Sequence, residues 1–257
     1  MQTTTTTSPQ LNIYFTAGFP ELGDTHRIID LLEESGADRI ELGIPYSDPV
    51  ADGPIIQKAH QRALSNGMTL DLLFDTLTEN RAKRTIPVVL MGYYNPILLY
   101  GTERFVKRCQ QAGVSGLIIP DLPPQEFKQS FQELLEKYGL GFSFLITPET
   151  PNERILELDR LSSGFLYAVS SSSTTGSKLF AEGVDKYLQN LSTLPIKNPV
   201  FVGFGIQDRE DFLRVTKHTQ GAIVGSAVVK VLLENVHWEQ PLRDLLFELR
   251  GTDSASL

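Results

Sequence analysis

Short apolar runs rich in β-branched and aromatic residues recur along the chain: NIYFTA (12–17), RIELGI (39–44), PVVLMG (87–92), GLIIPD (116–121), FSFLIT (142–147), FLYAVS (165–170), PVFVGF (199–204) and GAIVGS (221–226). Each has the length of a strand rather than a helix. Between them, apolar residues fall at helical spacing, as in DTHRIIDLLEESG (24–36), TERFVKRCQQAG (102–113), QEFKQSFQELLEKYG (125–139) and REDFLRVTKHTQG (209–221), which close on a glycine suited to a left-handed cap. Eight strands alternating with helices, apolar on both faces, predict a (β/α)8 TIM barrel, with a doubly wound α/β sheet as the alternative.

The runs begin at about the spacing of a βα module, except after the second and the sixth. The second gap holds a further helical pattern, TLDLLFDTLTENRAK (69–83), and the sixth opens with SSSSTTGSK (170–178). Both insertions follow a strand's C-terminal end, the face on which barrels build their sites. The expected organisation is one catalytic barrel over 11–251, between a disordered, Thr-rich N-terminal tail (1–10) and a short C-terminal tail (252–257).

Composition narrows the classes. At 257 residues and 41% apolar content, the chain suffices for one large core. No run is long and apolar enough to cross a bilayer, and MQTTTTTSPQ lacks the regions of a signal peptide, so a soluble, cytoplasmic protein is expected. A formal charge of −8 without a basic block argues against nucleic acid. The single cysteine, Cys109, sits in a helical pattern and reads as packing.

Within RIELGI, Ile40, Leu42 and Ile44 alternate with Arg39, Glu41 and Gly43. With the aliphatic set against the helices, Glu41 points into the barrel, where desolvation moves its pKa towards neutrality and suits it to proton exchange. Pairing with Arg39 is the structural alternative. Asp52, in Asp-Gly-Pro ahead of IIQKAHQRAL, can equally cap a helix, as can Gly53, and Asp48 reads as a turn residue.

At the far end of the chain, GFGI (203–206) and GSAVVKVLL (225–233) place glycines and a helix start after the seventh and eighth runs, where barrels commonly hold phosphate. Gly205, Gly225 and Ser226 are the candidates, with Thr175 and Gly176 of the sixth loop closing over the same ligand. None of the eight runs contains Lys, which argues against a Schiff-base aldolase. His26, His60, His218 and His237 lie in helical segments or their flanks, so no metal site is expected. What remains is carboxylate acid–base chemistry on an organic phosphate.

ELGIPYSDPVADGPIIQKA (41–59) resembles the signature of the tryptophan synthase alpha chain family, and the similarity extends through IYFTAGFP (13–20), MGYYNP (91–96), IIPDLP (118–123), TTG (174–176), GFGI and GSAVVK (225–230). The resemblance implies a lyase of tryptophan biosynthesis that cleaves indole-3-glycerol phosphate to indole and glyceraldehyde 3-phosphate. It implies Glu41 and Asp52 as the catalytic pair, and an indole pocket of Tyr14, Met91, Ile118, Ile146, Tyr167 and Phe204. It further implies no cofactor in this chain, and a beta-chain partner carrying its own pyridoxal phosphate in an alpha2beta2 tetramer, docked on a face that includes Pro45, Asp48, Pro49 and Asn95. Three features depart from the family's usual pattern: Ser173-Thr174 in the sixth loop, Tyr14 where Phe is frequent, and a Thr-rich tail in place of an N-terminal helix. A stand-alone lyase releasing free indole, a barrel that mainly activates its partner, and a sugar-phosphate isomerase are the competing readings.

Overall fold

The computed structural model describes residues 8–79, 81–169, 183–203 and 205–251. Nine strands form one parallel sheet: β1 (Gln10–Thr16), β2 (Arg39–Gly43), β3 (Val88–Met91), β4 (Gly116–Ile118), β5 (Gly141–Phe142), β6 (Phe144–Ile146), β7 (Leu166–Ala168), β8 (Val200–Val202) and β9 (Gly221–Val224). The neighbour order runs β5-β4-β3-β2-β1-β9-β8-β7-β6. Its two ends, β5 and β6, are halves of the run expected as one strand, so the sheet curls round to a nearly closed barrel and the TIM fold expected from the pattern is what forms.

The split falls at Ser143, where the chain changes partner. The Ser143 amide donates to Leu117 O on the β4 side at 3.0 Å, while its hydroxyl accepts from the Phe165 amide at the start of β7 at 3.0 Å. Ser143 thus bonds to both neighbours of the seam, one through its backbone and one through its side chain.

The helices are α1 (Asp24–Glu34), α2 (Pro54–Ser65), α3 (Leu70–Glu79), α4 (Tyr94–Tyr100), α5 (Thr102–Gln111), α6 (Pro124–Glu126), α7 (Gln132–Tyr138), α8 (Asn152–Leu161), α9 (Gly183–Thr193), α10 (Arg209–Thr216), α11 (Ser226–Glu234) and α12 (Glu239–Arg250). The helical pattern after the second run becomes α3. Between α6 and α7 the chain makes a π turn, Phe127–Phe131. Phe127 there packs on Phe142 and Phe144, with ring centres 4.5 and 5.1 Å away.

Alternation sorts the strand residues into two layers. Leu11, Ile13 and Phe15 of β1, with Ile40 and Leu42 of β2, are fully buried against the helices. Asn12, Tyr14 and Thr16, in register with Arg39, Glu41 and Gly43, form the inner face. Cys109 is buried on the inner side of α5. Among the described residues no helix is long and apolar enough to cross a membrane, and no cluster of His, Cys, Asp and Glu could hold a metal ion.

Candidate active site

Glu41 lies in β2 with no exposed surface. Neither carboxyl oxygen has a hydrogen-bond partner. An ionised carboxylate so placed is strongly disfavoured, and burial lifts its pKa from 4.5 to about 8, opposed by the Arg39 guanidinium. The alternative of a direct Arg39 pair is therefore not what forms: the two residues interact through space without a bond. On the same inner face, Met91 is the register partner of both Gly43 and Ile118. This places Met91 and Ile118 one step nearer the mouth than Glu41.

Asp52 is also buried. It does not cap α2: the N-cap is Gly53, extended at φ −72° and ψ 165°, with no side-chain cap bond. Instead Tyr93 donates its hydroxyl to Asp52 Oδ2 at 2.7 Å and accepts from the Ala51 amide at 3.0 Å. Burial, then Asp52, pushes the Tyr93 hydroxyl well above its ordinary pKa, so it stays a donor. His60 Nε2 lies 3.5 Å from the same Oδ2, and His60 Nδ1 accepts from the Tyr46 amide at 3.1 Å. That bond puts the proton of a neutral His60 on Nε2, facing Asp52. Both contacts fall on Oδ2.

Tyr14 connects the two acids. Its ring stands in register with Glu41, and its hydroxyl lies 3.4 Å from His60 Nε2 and 3.4 Å from Thr16 Oγ1. The ring needs glycines beside it: a Cβ on Gly43 would sit 2.4 Å from the Tyr14 hydroxyl, and one on Gly225 would sit 3.3 Å from Cδ1. Tyr167 stands likewise against Gly203, where a Cβ would meet Cε2 at 2.0 Å. Burial raises the pKa of both tyrosines, with Asp52 and Glu41 among the lesser contributions. Leu145 is level with Tyr167 and the fully buried Ile146 with Ala168.

At the opposite rim, Gly205 takes a left-handed φ of +52°. Gly225 is the N-cap of α11. The first bond of that helix runs from the Val229 amide to Gly225 O at 2.9 Å, so the amides of 226–228 have no helical carbonyl to bind and can face an anion. Ser226 is exposed there. Phe204, Thr175 and Gly176 lie outside the described residues. In the loop after β2, Asp48 is exposed and receives the Ser47 hydroxyl, as a turn residue does, while Pro49 is buried and Asn95 exposed. Val50 and Leu99 leave 80% of their surface open and Leu98 about half.

Tyr93 and His60 were not singled out as site residues by sequence. For His60 a signal exists, since Ile56, Ala59, His60 and Ala63 share one face of α2. For Tyr93 none does: MGYYNP offers two adjacent tyrosines and no means of telling which turns inward.

The sequence profile of the family described as tryptophan synthase alpha chain matches residues 2–252. The chain is 53% identical over 226 residues to the tryptophan synthase alpha chain of Christiangramia forsetii, covering 88% of each. It is 45% identical over 239 residues to that of Phocaeicola vulgatus, covering 93% of each. Among solved structures, a mutant tryptophan synthase alpha-subunit from the hyperthermophile Pyrococcus furiosus superposes with a TM-score of 0.87 at 37% identity, over 94% of this chain and 98% of that one. A chain of Mycobacterium tuberculosis tryptophan synthase gives 0.86 at 33% identity, over 95% and 91%.

Proposed function

Since the chain belongs to the tryptophan synthase alpha chain family, we propose that Glu41 and Asp52 carry out the retro-aldol cleavage of indole-3-glycerol phosphate in its barrel. The observation that carries this reading is a fully buried, unpartnered Glu41, with Asp52, held by Tyr93, near enough that both acids act on the Tyr14 and Tyr167 hydroxyls.

The chemistry follows from the two environments. With a pKa of about 8, Glu41 is protonated at neutral pH and donates its proton to the indole carbon bearing the glycerol chain. The ring becomes an indolenine, with positive charge spread to its nitrogen. Asp52 accepts a hydrogen bond from the ring N–H and stabilises that charge as it develops. The carbon–carbon bond then breaks, its electrons restoring the aromatic ring. The adjacent hydroxyl becomes the aldehyde carbonyl, and its proton passes to the Glu41 carboxylate, which returns to its starting state.

Tyr14, Met91, Ile118, Tyr167 and Phe204 supply the apolar slot for the ring, with Leu145, level with Tyr167, in place of Ile146, which is level with Ala168 on the other face. Gly205, Gly225 and Ser226, with Thr175 and Gly176 of the sixth loop, take the phosphate. This chain then needs no cofactor of its own. A beta chain docks on the face of Pro45, Asp48, Pro49 and Asn95, where Val50 and Leu99 offer exposed apolar surface. The assembly is an alpha2beta2 tetramer in the cytoplasm, and the partner condenses indole with serine on its pyridoxal phosphate.

Incubation with indole-3-glycerol phosphate, with and without a beta chain, tests both parts. Glu41→Gln is expected to abolish nearly all indole release while inorganic phosphate still binds. Turnover near wild type in that variant would remove Glu41 from the mechanism, and no gain in turnover with any beta chain would leave a stand-alone lyase.

A further inference from the structure

Arg39 precedes Glu41 by two residues on the same face of β2, which sets their Cα atoms about 7 Å apart along the strand. Its side chain crosses the barrel interior to the opposite wall. The guanidinium carbon lies 5.3 Å from the ring centre of Phe165, just before β7, and 5.2 Å from that of Phe201 in β8. The two rings pack on each other at 4.8 Å. Two aromatic rings thus hold the guanidinium toward the interior, although Arg39 as a whole is only partly buried.

The groups facing Glu41 make this cation count. From β1 come Tyr14, kept neutral by burial, and Asn12, whose side-chain oxygen and nitrogen are both buried and unpartnered. From β3 comes the apolar Val89. Tyr167 of β7, also kept neutral by burial, completes the surroundings. Among the described residues, Arg39 is the one cation acting on Glu41. Its own Nη1 is buried with no hydrogen-bond partner, and of the two acids that act on the guanidinium Glu41 contributes more than Asp38.

We propose that Arg39 is a positioning residue for the cleavage reaction, its clamped guanidinium standing below Glu41 to keep the carboxylate accessible, so that one side chain serves first as acid and then as base. The inference rests on the catalytic reading of Glu41. A carboxyl buried with no countercharge would be a competent proton donor but a poor resting place for negative charge once that proton has left. A direct salt bridge would err the other way, holding Glu41 ionised from the start. A cation two residues away, bonded to neither oxygen, supports both states.

The test compares wild type, Arg39→Met and Arg39→Lys as full chains with a beta chain present. The rate of indole release is followed against pH, and Glu41 is titrated by carbon NMR of labelled glutamate. In Arg39→Met the alkaline limb of kcat and the Glu41 titration both move upward, by about one pH unit or more. Arg39→Lys stays nearer wild type than Arg39→Met, and KM changes little, because phosphate and ring contacts lie elsewhere. If Arg39→Met fails to fold, Arg39→Gln is read for the same two quantities. An unmoved limb and titration in the neutral variant overturn the role of Arg39. The catalytic reading fails separately, if Glu41→Gln retains turnover.

Discussion

Tyr93 reaches from the loop after β3 to donate its hydroxyl to Asp52 Oδ2 at 2.7 Å, so the loops that follow two adjacent strands are tied together through one carboxylate. The same hydroxyl accepts from the Ala51 amide, which fixes the backbone beside Asp52. Tyr93→Phe removes both bonds without changing the ring. A hydrogen bond to a charged acceptor contributes about 1.5–3 kcal/mol, so kcat/KM for indole release is expected to fall by about ten- to a hundredfold. Steady-state kinetics on the variant, with wild-type thermal stability as the control, check this.

Glu41 sets a pH-dependent stability cost. Its pKa is raised from 4.5 to about 8 on folding, so its favourable contribution is complete below about pH 4.5 and is lost as pH climbs to about 8. Integrated over that window, the loss reaches about 5 kcal/mol as an upper figure. Glu41→Gln has no such term. The stability of the variant relative to wild type should therefore grow between pH 5 and 8, as read by urea denaturation at several pH values; a constant difference would contradict the placement of Glu41.

Gly203→Ala drives a methyl group into the Tyr167 ring, whose Cε2 would be 2.0 Å away. Overpacking of this kind costs about 1–3 kcal/mol. The variant should melt lower than wild type and show a raised KM for indole-3-glycerol phosphate, because the displaced ring is part of the proposed slot.

Asp208 caps α10, accepting from the Asp211 amide at 2.9 Å. Asp211 in turn accepts from the Gln207 amide at 3.1 Å, a reciprocal arrangement that closes the loop holding Gly205. Asp208→Ala should lower stability by about 1 kcal/mol, measurable by chemical denaturation, whereas Asp208→Asn should lose much less.

The barrel was legible because its two layers obey a period of two: once Ile40 and Leu42 are assigned to the helices, Glu41 has only the interior to occupy. The seam at Ser143 was not legible. It depends on a serine hydroxyl answering an amide of a strand about twenty residues later, and no local pattern encodes that. Asp52 shows the limit differently. Asp-Gly-Pro is a sound helix start, and the structure uses Gly53 for it, freeing the acid. Which of two adjacent residues caps is decided by the bond available to the other, here from Tyr93, forty-one positions away in sequence. His60 belongs with it, since its place on the buried face of α2 was readable but its neighbour was not.

The fit of Tyr14 between Gly43 and Gly225 means that these positions cannot vary independently over evolutionary time. The hydroxyl occupies the volume that a side chain at 43 would need. A lineage with Phe at 14 loses the tightest of these contacts but keeps the ring carbons, which a Cβ at 43 would still meet at 2.8 and 3.0 Å. Gly43→Ala should thus be harmful alone and only partly relieved by Tyr14→Phe, a coupled pair in which the hydroxyl makes the closest contact and the ring the rest.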